Sequence, residues 1–169
     1  MVELMIVVGI IGIISSIAIP GYQRITARSH RSEVATIMSK FRLYFKTLHD
    51  NQGTFSTAQT LPPGTASAVN PSPAVHPGQP SPWITNAAGW TDLPFPPEGS
   101  IRLRYWYTMG AADTSDGGRV HEVILQACGS FPGFGADNID CTGGMTGNYI
   151  YTEQLHGGGT YDVVELPDF

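Results

Sequence analysis

No catalytic signature occurs in this chain. A G-x-S-x-G elbow, an H-E-x-x-H helix, a phosphate-binding loop and a G-x-G-x-x-G between strand and helix are all missing. The histidines His30, His49, His76, His121 and His156 show no ligand spacing, and His30 and His49 read as surface positions on a helix. Cysteine is scarce: Cys128 and Cys141 have no third partner and form no C-x-x-C, which argues against a thiolate zinc site or a redox dithiol. Charge is also sparse, but the 41% hydrophobic content excludes wholesale disorder. Nothing in the sequence asks for an enzyme, a cofactor or a metal. The acidic turns Asp113/Asp116 and Asp137/Asn138/Asp140 hold oxygen atoms of the kind calcium takes, yet neither matches a calcium-loop pattern.

What is present is unevenly distributed. The 169 residues are within the range of a single domain, and the 20 glycines and 13 prolines gather in the middle and the C-terminal half. Residues 1–50 carry six basic side chains (Arg24, Arg28, Arg31, Lys40, Arg42, Lys46) against three acidic ones (Glu3, Glu33, Asp50), a balance of +3. Residues 51–169 carry three basic and eleven acidic side chains, a balance of −8. A positive stem with a negative head fits association between copies; local solubility is the plainer reading. The isolated cysteine pair brackets a Gly-rich loop. A bridge there suits an oxidising compartment and contributes roughly 3 kcal/mol in the loop-closure picture; two unpaired cytosolic thiols are the alternative.

The N-terminal segment decides the class. Leu4 to Ile19 is a run of sixteen uncharged residues, LMIVVGIIGIISSIAI. As a helix at about 1.5 Å per residue it covers most of a ~30 Å hydrocarbon core. It is apolar on every side, which points to a membrane or a fibre core and away from a soluble surface helix. A cleaved signal peptide fits poorly, because the start carries Glu3 and no basic residue and lacks a small-residue cleavage site. A plain anchor and a segment that leaves the membrane to pack against its own copies remain. Glu3 bears on that choice: a carboxylate beside a bilayer segment is costly and usually has a partner, and no Lys, Arg or His lies within twenty residues of it. Either a neighbouring chain supplies the partner, or Glu3 is solvated among headgroups. Pro20 interrupts an otherwise helical stretch, and Gly12, Ser15 and Ser16 upstream are modest helix formers. The stretch from Gly12 to Pro20 is therefore the part of the stem easiest to kink or unwind.

The order Glu3-Leu4, apolar run, Pro20, Tyr22 within MVELMIVVGIIGIISSIAIPGYQ closely resembles the N-terminus of mature type IV pilins and of type II secretion pseudopilins. The resemblance is strong over about 25 residues and weak along the helix to residue 50. It implies a prepilin peptidase, N-methylation, an inner-membrane assembly platform, minor pilins, and the N-terminal amine of an adjacent subunit as the partner of Glu3. Family precursors carry a basic leader and a Phe-Thr start before the position of Met1, and this chain does not; an internal start or missing residues would account for it. The basic residues Arg24, Arg28 and Arg31 alone would place their side in the cytoplasm, opposite to the exported head that the cysteines suggest. A basic leader resolves the conflict.

From Tyr22 to about Asn51 the chain has no Gly or Pro and reads as helix. Val34, Met38, Phe41, Phe45 and Leu48, with Ile37 and Tyr44 beside them, form one apolar stripe. Arg24, Arg28 and Arg31 form a basic face before it, either solvated or paired with acids of neighbouring subunits. Gly53 ends the helix. Residues 61–99 form a Pro-rich loop that Trp83, Trp90 and Phe95 are expected to pin, with an aromatic ligand groove as the other reading. Strands are expected over 101–107, where Ile101, Leu103, Tyr105 and Tyr107 alternate with Arg102, Arg104 and Trp106, and over 119–128, 148–155 and 161–166. Asp116-Gly117-Gly118 and Gly157-Gly158-Gly159 supply turns. The fold class is α+β: a long N-terminal helix, kinked near Pro20, on an antiparallel sheet. The organisation is a stem, 1–27, and a globular head, 28–169, with a cysteine-closed loop at 128–141.

The function this implies is a pilus subunit serving adhesion, twitching motility or DNA uptake, stored in the bacterial inner membrane and then extracellular. A pseudopilin or minor tip pilin is the runner-up; the major pseudopilins generally carry a calcium loop where this chain has its cysteine pair. A membrane-anchored binding module, and a conductive filament using the aromatics at 105–107, are further alternatives. Nucleic acid is a possible partner through DNA uptake.

Overall fold

The structure is a computed structural model and describes residues 1–71, 78–131, 135, 139–141 and 145–166. His76, Asp137 and Asn138, part of the Pro-rich loop and part of the cysteine-closed loop lie outside the described residues. Among the described residues one α-helix, α1 (Val2–Gln52), is followed by eight strands: β1 (Ser81–Pro82), β2 (Ser100–Ile101), β3 (Arg104–Met109), β4 (Glu122–Gly129), β5 (Ile139–Cys141), β6 (Met145–Gly147), β7 (Tyr149–His156) and β8 (Tyr161–Leu166). The 51 residues of α1 make a rod about 77 Å long. It ends where the sequence places its stop: Gly53 takes a left-handed φ of 67°, and its N–H donates to the His49 carbonyl at 2.7 Å.

The helix assignment is continuous through Pro20 and the Gly12–Pro20 stretch. Proline's φ is helical, and its missing N–H removes one rung of the ladder without ending it. The expected weak point is therefore not an interruption in the single subunit.

Four antiparallel strands form the main sheet in the order β3-β4-β7-β8. Register sets three cross-strand rows toward α1: Tyr107–Leu125–Glu153–Val163, Tyr105–Ala127–Tyr151–Glu165 and Met109–Val123–Leu155–Tyr161. Against them α1 lays Ala27, Val34, Ile37, Met38, Phe41 and Phe45, all buried. The stripe read from the sequence is thus the core face, with Leu48 and Tyr44 at its margin.

One feature departs from the sequence reading. The strand expected at 101–107 breaks after Ile101 and restarts at Arg104. Its alternating residues do not separate into a buried and an exposed set: Arg104, Tyr105, Trp106 and Tyr107 are all buried. The reason is a second layer. Trp106 packs with Cys128, Cys141, Val69 and Ile150 on the face away from the helix, and Arg104 donates to the Gln79 carbonyl and the Ser81 hydroxyl. Strand β5 ends on Cys141, which the bridge ties to Cys128 on β4, and pairs with β6 just beyond the closed loop. The expected turn at Asp116-Gly117-Gly118 is present, entered through a 3-10 turn at Thr114–Asp116, with Gly117 and Gly118 at φ 66° and 78°.

The two edges of the sheet are treated differently. Segment 65–70 seals β3: Ser67 and Asn70 N–H groups donate to the Tyr107 and Tyr105 carbonyls, and Tyr105 and Met109 donate back to Asn70 and Thr65, all at 2.7–2.8 Å. The β8 edge carries exposed Tyr161, Val163, Val164 and Leu166.

Helix and sheet are also joined by charge. Glu153, fully buried on β7, receives the Arg42 guanidinium at two points, Nε and Nη2, the second at 2.8 Å, and the Tyr151 hydroxyl at 3.1 Å. Tyr161 lies 4.1 Å from the Arg42 guanidinium carbon and covers the pair. The hydrogen bond to Glu153 raises the Arg42 pKa, while burial first, then the Glu153 charge and hydrogen bond, push the Tyr151 phenol up to about 12. Removing the cation strands a buried carboxylate. Arg42→Ala should cost about 3 kcal/mol, and replacing both partners, Arg42→Leu with Glu153→Leu, should recover most of it. Urea unfolding of the detergent-solubilised chain, followed by tryptophan fluorescence, checks both.

Candidate assembly surface

The stem residues expected to matter sit in the open. Glu3, Gly12, Pro20, Arg24 and Arg28 are all exposed. From Leu4 to Ile19 no large apolar side chain is covered by the subunit's own fold; Leu4 is 71% and Ile17 73% exposed. The apolar stretch of α1 is not buried within the subunit, and the helix is long and apolar enough to cross a membrane. A Cβ placed on Gly9, Gly12 or Gly21 would meet nothing within 4 Å, so packing inside the subunit does not demand glycine at these positions.

The structure divides the basic face. Arg24 and Arg28 point outward. Arg31 is only partly exposed and donates to Glu165 at 2.5 Å, and the Tyr149 hydroxyl donates to the same carboxylate at 2.8 Å. Arg31 therefore fastens the helix to β8 inside the subunit. Two further polar anchors escaped the sequence reading. The Glu33 carboxylate accepts from the Arg102 and Leu103 N–H groups at 3.1–3.3 Å and from the Tyr105 hydroxyl at 3.3 Å. Burial first, then Glu33, pushes the Tyr105 phenol well above its ordinary value. Asn148 clamps the Phe131 backbone, accepting from its N–H at 2.6 Å and donating to its carbonyl at 2.9 Å. A short polar residue in a loop-rich stretch carries no sequence signal for such a role.

The histidines read as surface residues are partly buried. His30 packs on Phe131 with ring centroids 5.5 Å apart, and its Nδ1 is buried without a hydrogen-bond partner. His49 stacks on Phe55 at 4.7 Å. Of the aromatics expected to pin the Pro-rich loop, Trp83 and Trp90 do so, packing on each other and on Phe41, with the Trp90 indole N–H donating to the Ala68 carbonyl at 2.7 Å. Phe95 is 58% exposed and takes no part. Both tryptophans are buried in the core, and Trp90 also lines a pocket with Tyr44, Gln59 and Leu93.

The acidic turn at 113–116 is occupied by its own chain. Asp113 accepts from the Ser115 N–H and hydroxyl, which hold its carboxyl below its usual value, and Asp116 lies 2.6 Å from His121 Nε2. Among the described residues no group of three His, Cys, Asp or Glu side chains converges on a metal position.

The chain matches no family model and no solved structure. It is similar to the type IV major fimbrial protein FimA of Dichelobacter nodosus, with 40% identity over 87 residues covering 47% of this chain and 54% of that protein. The chain thus spans about half the length of this curated relative.

His30 sits where the stem enters the fold, and burial, then the Arg102 charge, lower its pKa. The folded state thus binds this proton less readily than the unfolded chain. The stabilisation is complete above the unfolded value near 6.5 and is lost as pH falls through and below it. The thermal midpoint should therefore drop between pH 7.5 and pH 5, and His30→Phe, which keeps a ring against Phe131, should show a smaller drop in the same melts.

Proposed function

We propose that this chain is the structural subunit of a type IV pilus: a protein held in the bacterial inner membrane by its stem and then moved, stem first, into the core of an extracellular filament of identical copies. The observation that carries this reading is the uncovered apolar stem, a helix wet on every side that projects from a head with a complete core of its own. The similarity to a type IV major fimbrial protein supports it. The work of such a subunit is structural, without catalysis. The chemistry is a transfer of apolar surface from lipid to protein, with a prepilin peptidase, an assembly platform and minor pilins as the partners that the N-terminal resemblance implies. Adhesion, twitching motility and DNA uptake are the uses of such a filament. A ligand-binding module is not favoured, since Trp83 and Trp90, two of the three aromatics that would serve it, are buried in the core.

Glu3 is proposed as an assembly residue, Gly12 and Pro20 as the place where the stem adapts to its neighbours. Glu3→Ala should still enter the membrane, because removing a charge eases insertion. An ion pair in an apolar core costs about 3–5 kcal/mol to break, so the yield of sheared fibres should fall roughly tenfold or more. The ratio of fibre to membrane protein, read by immunoblot, measures it, and wild-type fibre yield would show that Glu3 is only solvated.

The second expectation concerns the backbone. In the filament, side chains of neighbouring copies keep an unwound segment dry, and the Gly12–Pro20 stretch, helical in the single subunit, should lose its helical ladder there. A filament reconstruction from purified surface fibres tests this; unbroken helical density would refute it.

A further inference from the structure

Histidines that the sequence scatters meet at one end of the head. His49 lies in the last turn of α1, His121 immediately precedes β4, and His156 closes β7. Two of them face one point. A Cβ on Gly157, in the turn after β7, would stand 2.7 Å from His49 Nε2 and 3.2 Å from His121 Nδ1. The two ring centroids are 6.2 Å apart, with the planes at 64°. Glycine at 157 is what lets both nitrogens reach the same space, and its N–H donates to the His121 carbonyl at 2.7 Å, which holds the turn against that histidine.

His49 Nε2 is buried and has no hydrogen-bond partner. A buried polar atom left unpaired is unfavourable, and in native proteins it marks the place of a bound water or ion. His121 carries a second mark. Its Nε2 lies 2.6 Å from Asp116 Oδ2, a contact that puts the proton of the neutral ring on Nε2 and turns the Nδ1 lone pair to the space over Gly157. A carboxylate behind an imidazole is the arrangement that orients histidine ligands of metals.

We propose that His49 Nε2 and His121 Nδ1 form a two-histidine site for a divalent transition-metal ion, Zn2+ in the first instance, with Asp116 as a positioning residue. Imidazole nitrogen suits zinc, copper and nickel and not magnesium or calcium. Zinc–nitrogen bonds are about 2.0–2.1 Å long, and two nitrogens that flank one point can share one ion. Among the described residues no group of three His, Cys, Asp or Glu converges there, so water completes the coordination. The adjoining cavity of about 60 Å³, lined by His49, His156 and Gly157, has room for it. Arg42 and Lys46 face the same cavity; Glu153 neutralises the first, and Asp50, one turn beyond Lys46, offsets the second. The ion clips the end of α1 to the entry of β4 beside the turn after β7. The inference concerns the head alone and does not rest on the filament reading.

Thermal melts of the full chain, solubilised in detergent and stripped with EDTA, test it. Zinc chloride should raise the midpoint by several degrees, because a ligand of the folded state stabilises it, and titration calorimetry should find one ion per chain. Magnesium and calcium chloride should leave the midpoint where it is. His49→Gln and His121→Gln should each remove the zinc response. Gly157→Ala, whose methyl would stand beside both nitrogens, should remove it too. Asp116→Asn should weaken zinc binding about tenfold or more at an unchanged midpoint in EDTA. A midpoint that ignores zinc, nickel and copper would overturn the proposal and leave water as the bridge between the rings. A zinc response that survives both histidine substitutions would overturn it as well and put the ion elsewhere. Should a variant fail to fold, the wild-type chain decides. Zinc should protect His121 from diethyl pyrocarbonate, as read by mass spectrometry, and EDTA should restore the reaction; equal modification with and without zinc would refute the site.

Discussion

Water meets the whole apolar surface of the stem, and the rest of the molecule is organised around that exposure. Burying an aliphatic side chain is worth about 1.5–3 kcal/mol; over the run from Leu4 to Ile19 the stem in water forgoes on the order of 20 kcal/mol. Among the described residues no loop or strand comes down to cover it, and the buried positions of α1 begin at Ala27. Such a segment is at rest only in lipid or against other proteins.

The upper half of the same helix must then do the opposite. It holds the head, with its buried face against the sheet. Apolar packing of Val34, Met38, Phe41 and Phe45 supplies the bulk of that hold. Three carboxylates add direction to it. Glu33 reaches from the helix to the backbone before β3, while Glu153 and Glu165 reach from β7 and β8 to Arg42 and Arg31. Each fixes a different strand to a different turn of the helix, so the sheet can neither slide along α1 nor roll around it without breaking a partly buried charged contact.

The same arrangement leaves particular surfaces uncommitted. One edge of the sheet is closed by four backbone hydrogen bonds from segment 65–70, and the other, β8, keeps apolar side chains in water. Arg31 is drawn into the subunit, which leaves Arg24 and Arg28 as the outward charges below it. The surfaces left open to other molecules are thus those the internal contacts did not use.

Much of this was legible in the chain itself. Uniform apolarity from Leu4 to Ile19, the 3–4 spacing from Val34 to Leu48 and the stop at Gly53 depend on near neighbours along one helix, so local pattern was enough to read them. The strands β4, β7 and β8 were visible for the same reason. What only the tertiary structure decided are the contacts between residues far apart in sequence. The burial of Arg104 and Trp106 needed a second layer brought by Cys141, Val69, Gln79 and Ser81. The retreat of His30 needed Phe131, and the split of the basic face needed Glu165, 134 residues from Arg31. Periodicity reports which side of an element a residue occupies. It cannot report what the fold later lays on that side, because that depends on which distant segments close over it.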